Sequence, residues 1–517
     1  MSTTLKAALN GIAADERAKV LKHTHALYGQ FKPQWEILLD AMDGCGGFLN
    51  GDYLWKFPRE VQTKFDERKA QARYHNYVES LVEIYVRHVF GRGVKRKTTS
   101  ETLNAFWDNV DGHRTKLTDY LKTQTAIALA TGHVGVLMDK PATEAPGPSR
   151  EDEKTVGIVP YLSTFSPVAI LDWRTEHDEV VAVKLSEADQ SDDLLAPDKD
   201  SENQSYLFWN RDGWLRTDGN GEATTNADLT LGMVPFHVLR PKRSRRYPFI
   251  GKPLVNASLV TALYNRGSEE DDVLRNQAFS VFTISLPKDT TADEVEKAKQ
   301  ALGGDIGTTQ ALFVVGEGDY KTPDMNVPKT IRENQQWLIQ EIYRMAHLRF
   351  NRDSLEAETA EAIRLQHAEL NEMLVGLAGE LTELELQLAR FFFHWTEPTP
   401  EAAERAFEAA GVAVEYPKEF FLRELAAELR DWAEAIRMRL GEKFSKHLKK
   451  LAIHRIAPDL DDATRKEFED EIDALKDEAP SSELLRAGAV ARMTGFGKKP
   501  EPEPEPEPKP GDKKAAA

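Results

Sequence analysis

Cysteine is nearly absent: Cys45 is the only one in 517 residues. A single thiol can neither close an intrachain disulfide nor supply a cysteine-based zinc site, so the chain is expected to work in a reducing compartment. No apolar run approaches the ~18 residues a membrane helix requires, and the opening MSTTLKAALNGIAADERAK lacks the apolar core of a secretory leader. A soluble, unsecreted protein without a membrane role is expected, and the mean hydropathy of -0.51 agrees. Nucleotide and hydrolase signatures are missing too. Gly91-Arg92-Gly93 and Gly316-Glu317-Gly318 have no Lys-Ser/Thr behind them to cradle phosphates, and neither a G-x-S-x-G elbow nor an H-E-x-x-H motif occurs. His23 and His25 stand two apart and face different sides of a helix, so they cannot share a metal. Asp108 to Gly112 lacks the alternating ligands and distal Glu of a calcium loop. An enzyme is not expected, nor any cofactor.

Charge of one sign is in deficit. The 67 Lys and Arg against 85 Asp and Glu leave a formal charge of -18, with an isoelectric point near 5.3. A protein that coats nucleic acid through overall charge is excluded, although local basic patches are not. At this length roughly three domains are expected.

The residues that are present predict an α+β, predominantly helical fold. Helical periodicity runs through 5–45, with breaks expected at Pro33 and at Gly44, Gly46 and Gly47. It resumes from Pro58 to Phe90, where Tyr74, Tyr77, Leu81, Ile84, Tyr85 and His88 make one face, and again over 101–130 until Gly132. A buried strand from His133 to Met138 follows. Between 155 and 240 short strands are expected: Ile158 to Leu162, Val168 to Trp173, Val180 to Leu185, Tyr206 to Trp209 and Trp214 to Thr217. Asn210 to Gly213 forms a hairpin turn, and acidic 187–205 reads as a surface loop.

The second half is organised around an interrupted helical unit. A helix over 253–277, opened by Pro253 and faced by Leu254, Val255, Leu259, Ala262 and Leu263, and a helix over 329–348 bracket an insert of about fifty residues. That insert reads as strand (278–286), short helix (291–302) and strand (311–315). Beyond a loop at Arg349 to Arg352, Ile363, Leu370, Leu374, Leu377, Leu381, Leu384, Leu388, Phe391 and Trp395 step by sevens, fours and threes, an a/d seam. Pro398 and Pro400 end this helix. Residues 418–452, 462–477 and 481–494 are expected to be helical, and the Glu-Pro tail (496–517) disordered.

An ordered series of segments resembles portal proteins of tailed bacteriophages, the head-to-tail connectors. It runs through GDYLWKFPREVQTKFDERKAQARYHNYVESLVEIYVRHVFGR, FWDNVDGHRTKLTDYLKTQTAIALATGHVGVLMDKP, PYLSTFSPVAILDWR, VPFHVL and KPLVNASLVTALYNRGSEEDDVLRNQAF. The resemblance covers about 45–282 and continues loosely through ETAEAIRLQHAELNEMLVGLAGELTELELQLARFFFHW. It implies a portal-type subunit with a wing (1–252), a two-helix stem (253–277 and 329–348), an α/β clip between them (278–328), a tunnel loop (349–357), a long wing helix (358–400) and a helical crown (401–495). It further implies a dodecameric ring in the virion at one capsid vertex, assembled in the host cytoplasm, through which double-stranded DNA is packaged and ejected. Large terminase, major capsid protein or scaffold, and a head-tail adaptor would be its partners. The basic stretch Arg240 to Arg246 (RPKRSRR) and the tail depart from the family pattern.

A duplex must slide through such a channel without being held. An acidic wall with a few basic rings supplies weak, sequence-independent contact. Arg349, Asn351 and Arg352 are candidates for that contact, with Arg275 and Lys329 at the clip ends of the stem; surface pairing, for instance of Arg349 and Arg352 with Glu356 and Glu358, is the competing account. Arg243, Arg245, Arg246, Arg266, Glu270, Val281, Phe282 and Ile284 are candidates for contact between subunits, the acidic run Glu269 to Asp272 lining a channel or pairing with Arg266 of a neighbour. Two other classes stay open: a coiled-coil scaffold built on the 363–395 seam, and an enzyme with a site in the strand-rich region.

Overall fold

The computed structural model describes residues 5–58, 60–140, 159–177, 179–188, 204–229, 231–278, 283–301, 312–315, 326–348, 360–417, 420, 433–434, 441–456 and 462–474. Two compact units divide the chain, Met1–Phe420 and Phe421–Ala517. Helices α1 (Leu5–Asn10), α2 (Ala14–Lys22), α3 (Ala26–Asp43) and α4 (Gly46–Asn50) open the first. Pro33 lies inside α3 and does not break it. Buried Tyr28 before the proline and Trp35, Leu38 and Ala41 after it hold a single helix, so packing outweighs the ~3 kcal/mol cost of an internal proline.

Two expected long helices are each divided. The stretch from Pro58 becomes α5 (Gln62–Gln71) and α6 (Tyr77–Phe90), because Asn76 starts a new helix by accepting from the Glu79 N–H at 2.9 Å. After strand β1 (Lys95–Lys97), the 101–130 stretch becomes α7 (Glu101–Asp108) and α8 (Leu117–Thr131). Between them the Asp111 carboxylate accepts from the N–H groups of His113 and Thr115, and Asn109 accepts from Arg114. Asp111 and Asn109, in the segment that lacks a calcium-loop pattern, are thus turn-makers.

All six residues of β2 (Val134–Asp139) are buried. It pairs antiparallel with β3 (Tyr161–Phe165) on one side, in register Met138 to Leu162. A five-stranded antiparallel meander follows: β4 (Ile170–Glu176), β5 (Glu179–Ala188), β6 (Gln204–Asn210), β7 (Gly213–Thr217) and β8 (Ala223–Asp228). The Asn210 to Gly213 hairpin is present, with Asn210 Oδ1 accepting from the N–H groups of Asp212 and Gly213. β9 (Phe236–Leu239) then covers the other edge of β2. The strand-starting hydrophobic at Ile158, most of the 187–205 loop, the 481–494 helix and the tail lie outside the described residues.

Helix α9 (Ala257–Ala278) starts at Ala257 rather than at Pro253. The preceding segment is pinned as a bend: Leu254 N–H donates to the Leu129 carbonyl at 2.8 Å, and Gly251 crosses Gly132 so closely that a Cβ on it would meet the Gly132 oxygen at 1.8 Å. No side chain fits there, and Gly132, at φ 103°, is itself left-handed. Next come β10 (Thr283–Leu286), α10 (Ala292–Ala301), β11 (Leu312–Val315), α11 (Asn326–Met345) and α12 (Ala360–Thr396). α13 (Pro400–Ala410) and β12 (Ala413–Glu415) close the unit, β12 pairing antiparallel with β1. In the second unit α14 (Glu442–Ile456) lies beside α15 (Asp462–Ala474), with Lys450 on Asp473 at 2.7 Å.

The main core forms where α6 and α8 meet α12. Leu370, Leu374, Leu377, Leu381, Leu384, Leu388 and Phe391 are buried with Leu81, Tyr85 and Leu121. The a/d seam is therefore consumed by its own chain. A second cluster joins Trp35 of α3 to Ile170, Trp209 and Phe236 of the sheets.

Asp139 ends β2 with its carboxyl buried. Burial lifts its pKa from the ordinary 3.8 to about 6, although the Lys140 N–H donates to it at 2.7 Å. The fold thus resists ionising a group that the unfolded chain ionises freely: the penalty is absent below 3.8, grows across the window and is complete above about 6. Asp139→Asn keeps the acceptor and removes the charge. It is expected to raise stability at about pH 8 by up to ~3 kcal/mol, a gain that shrinks toward zero near pH 4 in paired denaturation curves. An equal gain at both pH values would show that the buried charge is not its source.

Candidate functional site

α9 and α11 form an antiparallel pair. Arg332 reaches the Glu270 carboxylate with Nε and Nη2 at 3.0 and 2.7 Å, and the Gln335 amide donates to the Arg266 carbonyl at 3.0 Å. Their bases enter the main core through Val260, Tyr264, Ile342 and Ala346. Between them sits the insert, in which β10 and β11 pair in parallel from Thr283 with Leu312 to Leu286 with Val315. Parallel neighbours require a crossover, and α10 supplies it.

The acidic run has three different fates. Glu269 pairs with Arg266 one turn back along α9, and Glu270 crosses to Arg332. Asp271 and Asp272 line a small cleft with Arg68, Ser268 and Arg275. Arg266 and Glu270, expected to reach a neighbouring subunit, thus carry ion pairs inside one chain. Arg243 likewise binds Glu380 and Glu383 of α12 at 2.7 and 3.0 Å. Within the same basic stretch Arg240 is buried and donates to the Pro248 carbonyl at 2.6 Å. Arg245 and Arg246 are exposed, Arg246 lying over the Tyr247 ring at 5.2 Å. Arg275 and Lys329 are exposed on the helix pair. Ile284 is paired in register with Phe313. Arg349, Asn351, Arg352, Val281 and Phe282 lie outside the described residues, as does the 349–357 loop.

Sequence reasoning missed the residue that braces α9. Arg68 is 5% exposed. It grips Glu60 with two parallel bonds, Nε to Oε1 at 2.8 Å and Nη2 to Oε2 at 2.9 Å, and donates to the Trp55 carbonyl at 2.6 Å. Its third arm reaches Ser268 Oγ of α9 at 3.4 Å, and the rings of Phe57 and Phe65 sandwich its guanidinium at 4.8 and 5.4 Å. Asn265 completes the brace, accepting from the Trp55 N–H at 2.7 Å and donating to the Tyr53 carbonyl at 2.9 Å. The one available signal was the concentration of aromatics around an arginine in LWKFPREVQTKFDER.

The strand-rich region offers a cleft of about 620 Å3 lined by His23, Asp172, Trp173, Lys184 and Phe208. Burial lowers the Lys184 pKa, and its ammonium donates to the carbonyls of Val20, Leu21 and His23, which cap the end of α2. Asp172 is held by Arg174 at 2.7 Å, with His23 at 3.5 Å.

No family model and no curated protein matches this chain. Among solved structures, it is similar to a chain in the virion of a native gene transfer agent particle, at 12% identity and TM-score 0.33, covering 72% of this chain and 89% of that one. It is also similar to a chain in the neck of an empty gene transfer agent particle, at 11% identity and TM-score 0.34, covering 70% and 85%.

The Arg68 brace gives a stability prediction. Arg68→Ala strands Glu60 and opens the Phe57/Phe65 sandwich, and is expected to cost ~3–5 kcal/mol in denaturant midpoint; Arg68→Lys, lacking the planar fork, recovers only part. The Arg68 hydrogen bond holds the Glu60 carboxyl below its usual pKa. The brace's contribution is therefore complete above the ordinary Glu range and lost as pH falls through the depressed value, a dependence that Arg68→Ala should abolish.

Proposed function

We propose that this chain is a phage portal subunit, assembling as a ring whose axial channel passes double-stranded DNA during packaging and ejection. The observation that carries the proposal is the antiparallel α9/α11 pair split by a parallel β-α-β insert, followed by a long helix that returns into the core. That order of parts is the one the sequence resemblance implies for stem, clip and long wing helix. On this reading the wing comprises the mixed helix and sheet body, the insert is the clip that docks terminase and head-tail adaptor, and the second unit belongs to the crown.

The electrostatics support a channel of low affinity. The pair presents more acid than base, and two of its arginines, Arg266 and Arg332, are engaged by carboxylates. Arg275, Lys329 and the Arg349 to Arg352 loop are the proposed cationic rings, and Arg245 and Arg246 the proposed contacts between neighbours. Symmetry multiplies each side chain into a ring, so one weak phosphate contact per subunit suffices. The coiled-coil alternative loses its basis because the a/d seam is buried in its own chain.

Native mass determination and electron-microscope class averages of the purified chain test the proposal. A closed ring of about a dozen subunits with an open pore is expected, together with weak duplex binding that vanishes as salt rises. A monomer or rod-shaped dimer, alone and with its virion partners, would refute it.

A further inference from the structure

The α9/α11 pair has two unlike edges. On α9, Asn265 and Ser268 face the Tyr53 to Arg68 brace, whereas the Glu270 carboxylate and the Arg266 carbonyl meet α11. These two sets fall on nearly opposite sides of the helix, so α9 lies between the brace and α11. On α11, Arg332 and Gln335 turn toward α9. Trp337 is about half a turn of the helix from them and points the other way, 54% exposed. At the brace edge Trp55, Phe57 and Val61 are 50%, 41% and 67% exposed.

Large exposed aromatics at two opposite edges cannot satisfy each other within one chain, because α9 stands between them. Each edge carries an exposed charge that no ion pair among the described residues engages, the two of opposite sign. Glu333, one turn from Trp337, is exposed on α11, and Lys56 is exposed between Trp55 and Phe57. We propose that Trp337 of one copy docks on the Trp55/Phe57/Val61 patch of a second copy, with Glu333 opposite Lys56. Such a contact is heterologous: patch meets a different patch, each copy offers one of each, and repetition closes into a ring when the rotation allows. A tryptophan seated on aromatic and apolar neighbours, rimmed by opposite charge, is the composition of an energetic centre of an interface. The proposal rests on the ring reading above and adds to it the surface that joins neighbouring stems.

Both edges are exposed, so variants there should leave the subunit's fold intact. Trp337→Ala is expected to raise the concentration at which rings dissociate at least tenfold in native mass spectrometry, with the subunit's thermal unfolding unchanged. Glu333→Lys and Lys56→Glu should each weaken assembly, and the double reversal should restore it. Rings of Trp337→Ala that match the wild type would overturn this contact while leaving the portal reading standing. If Trp337→Ala misfolds, the charge reversals decide alone: a double variant no better than either single one overturns the contact. Absence of any ring from the wild-type chain with its virion partners would bring down both.

Discussion

The structure depends on one helix being buried along its whole described seam. From Leu370 to Phe391 the a and d positions of α12 disappear against α6, α8 and the β2 layer, and Trp395 extends the contact by donating to the Met138 carbonyl at 3.1 Å. A seam of this length is also a site for a second helix, so its consumption within the chain decides what the protein is not. Polar contacts fix the register. Glu385 is buried at the centre of the seam, where Arg96 of β1 binds both its oxygens at 2.5 and 2.8 Å and the Tyr416 hydroxyl donates to it at 2.6 Å. Burial and that carboxylate push the Tyr416 phenol far above its ordinary pKa. A buried pair with all its partners in place contributes little net stability against an apolar one, but it admits only one alignment of α12 with the β1/β12 pair.

From this body the α9/α11 pair gains its direction. Tyr85 donates to the Ala346 carbonyl at 2.6 Å and Tyr264 to the Phe48 carbonyl at 2.9 Å, so the base of each helix is tied to the α6 or α4 layer. Away from the core the pair adds polar contacts, Arg332 with Glu270 and Gln335 with the Arg266 carbonyl, beside half-buried Val273, Leu274 and Ile331. Exposed ion pairs contribute at most ~1 kcal/mol each. A pair held at its base in this way draws its direction from the core and little of its stability from the ion pairs along its length.

Much of this was legible in the sequence, and the failures have physical causes. The a/d seam, the Asn210 to Gly213 hairpin, the Gly132 stop and the strand-helix-strand insert follow from periodicity and turn chemistry, which act locally. Pro33 misled because its cost is local whereas the burial of Tyr28 and Trp35 that outweighs it is not. The divisions at Asn76 and at Asn109 to Asp111 were hidden because capping side chains interrupt a helix without disturbing its apolar pattern. The surroundings of the site residues were the least legible. Arg243, Arg266 and Glu270 read as candidates for contact between subunits, and only the fold reveals Glu380, Glu269 and Arg332 beside them. Arg68 escaped notice because a buried arginine and a solvated one look alike until Phe57, Phe65 and Ser268 are assembled around it.

That redistribution of charge changes what the basic stretch presents to solvent. A count over the sequence suggests that RPKRSRR is a strong cationic patch, yet Arg240 is buried against the Pro248 carbonyl and Arg243 is held by two glutamates. Lys242, Arg245 and Arg246 are left exposed. The helix pair follows the same rule, since Arg332 and Arg266 are both placed on carboxylates. Cations engaged this way release few counterions from a duplex, and counterion release is what makes phosphate binding tight. In these two segments the described residues therefore offer fewer unengaged cations than the sequence count implies.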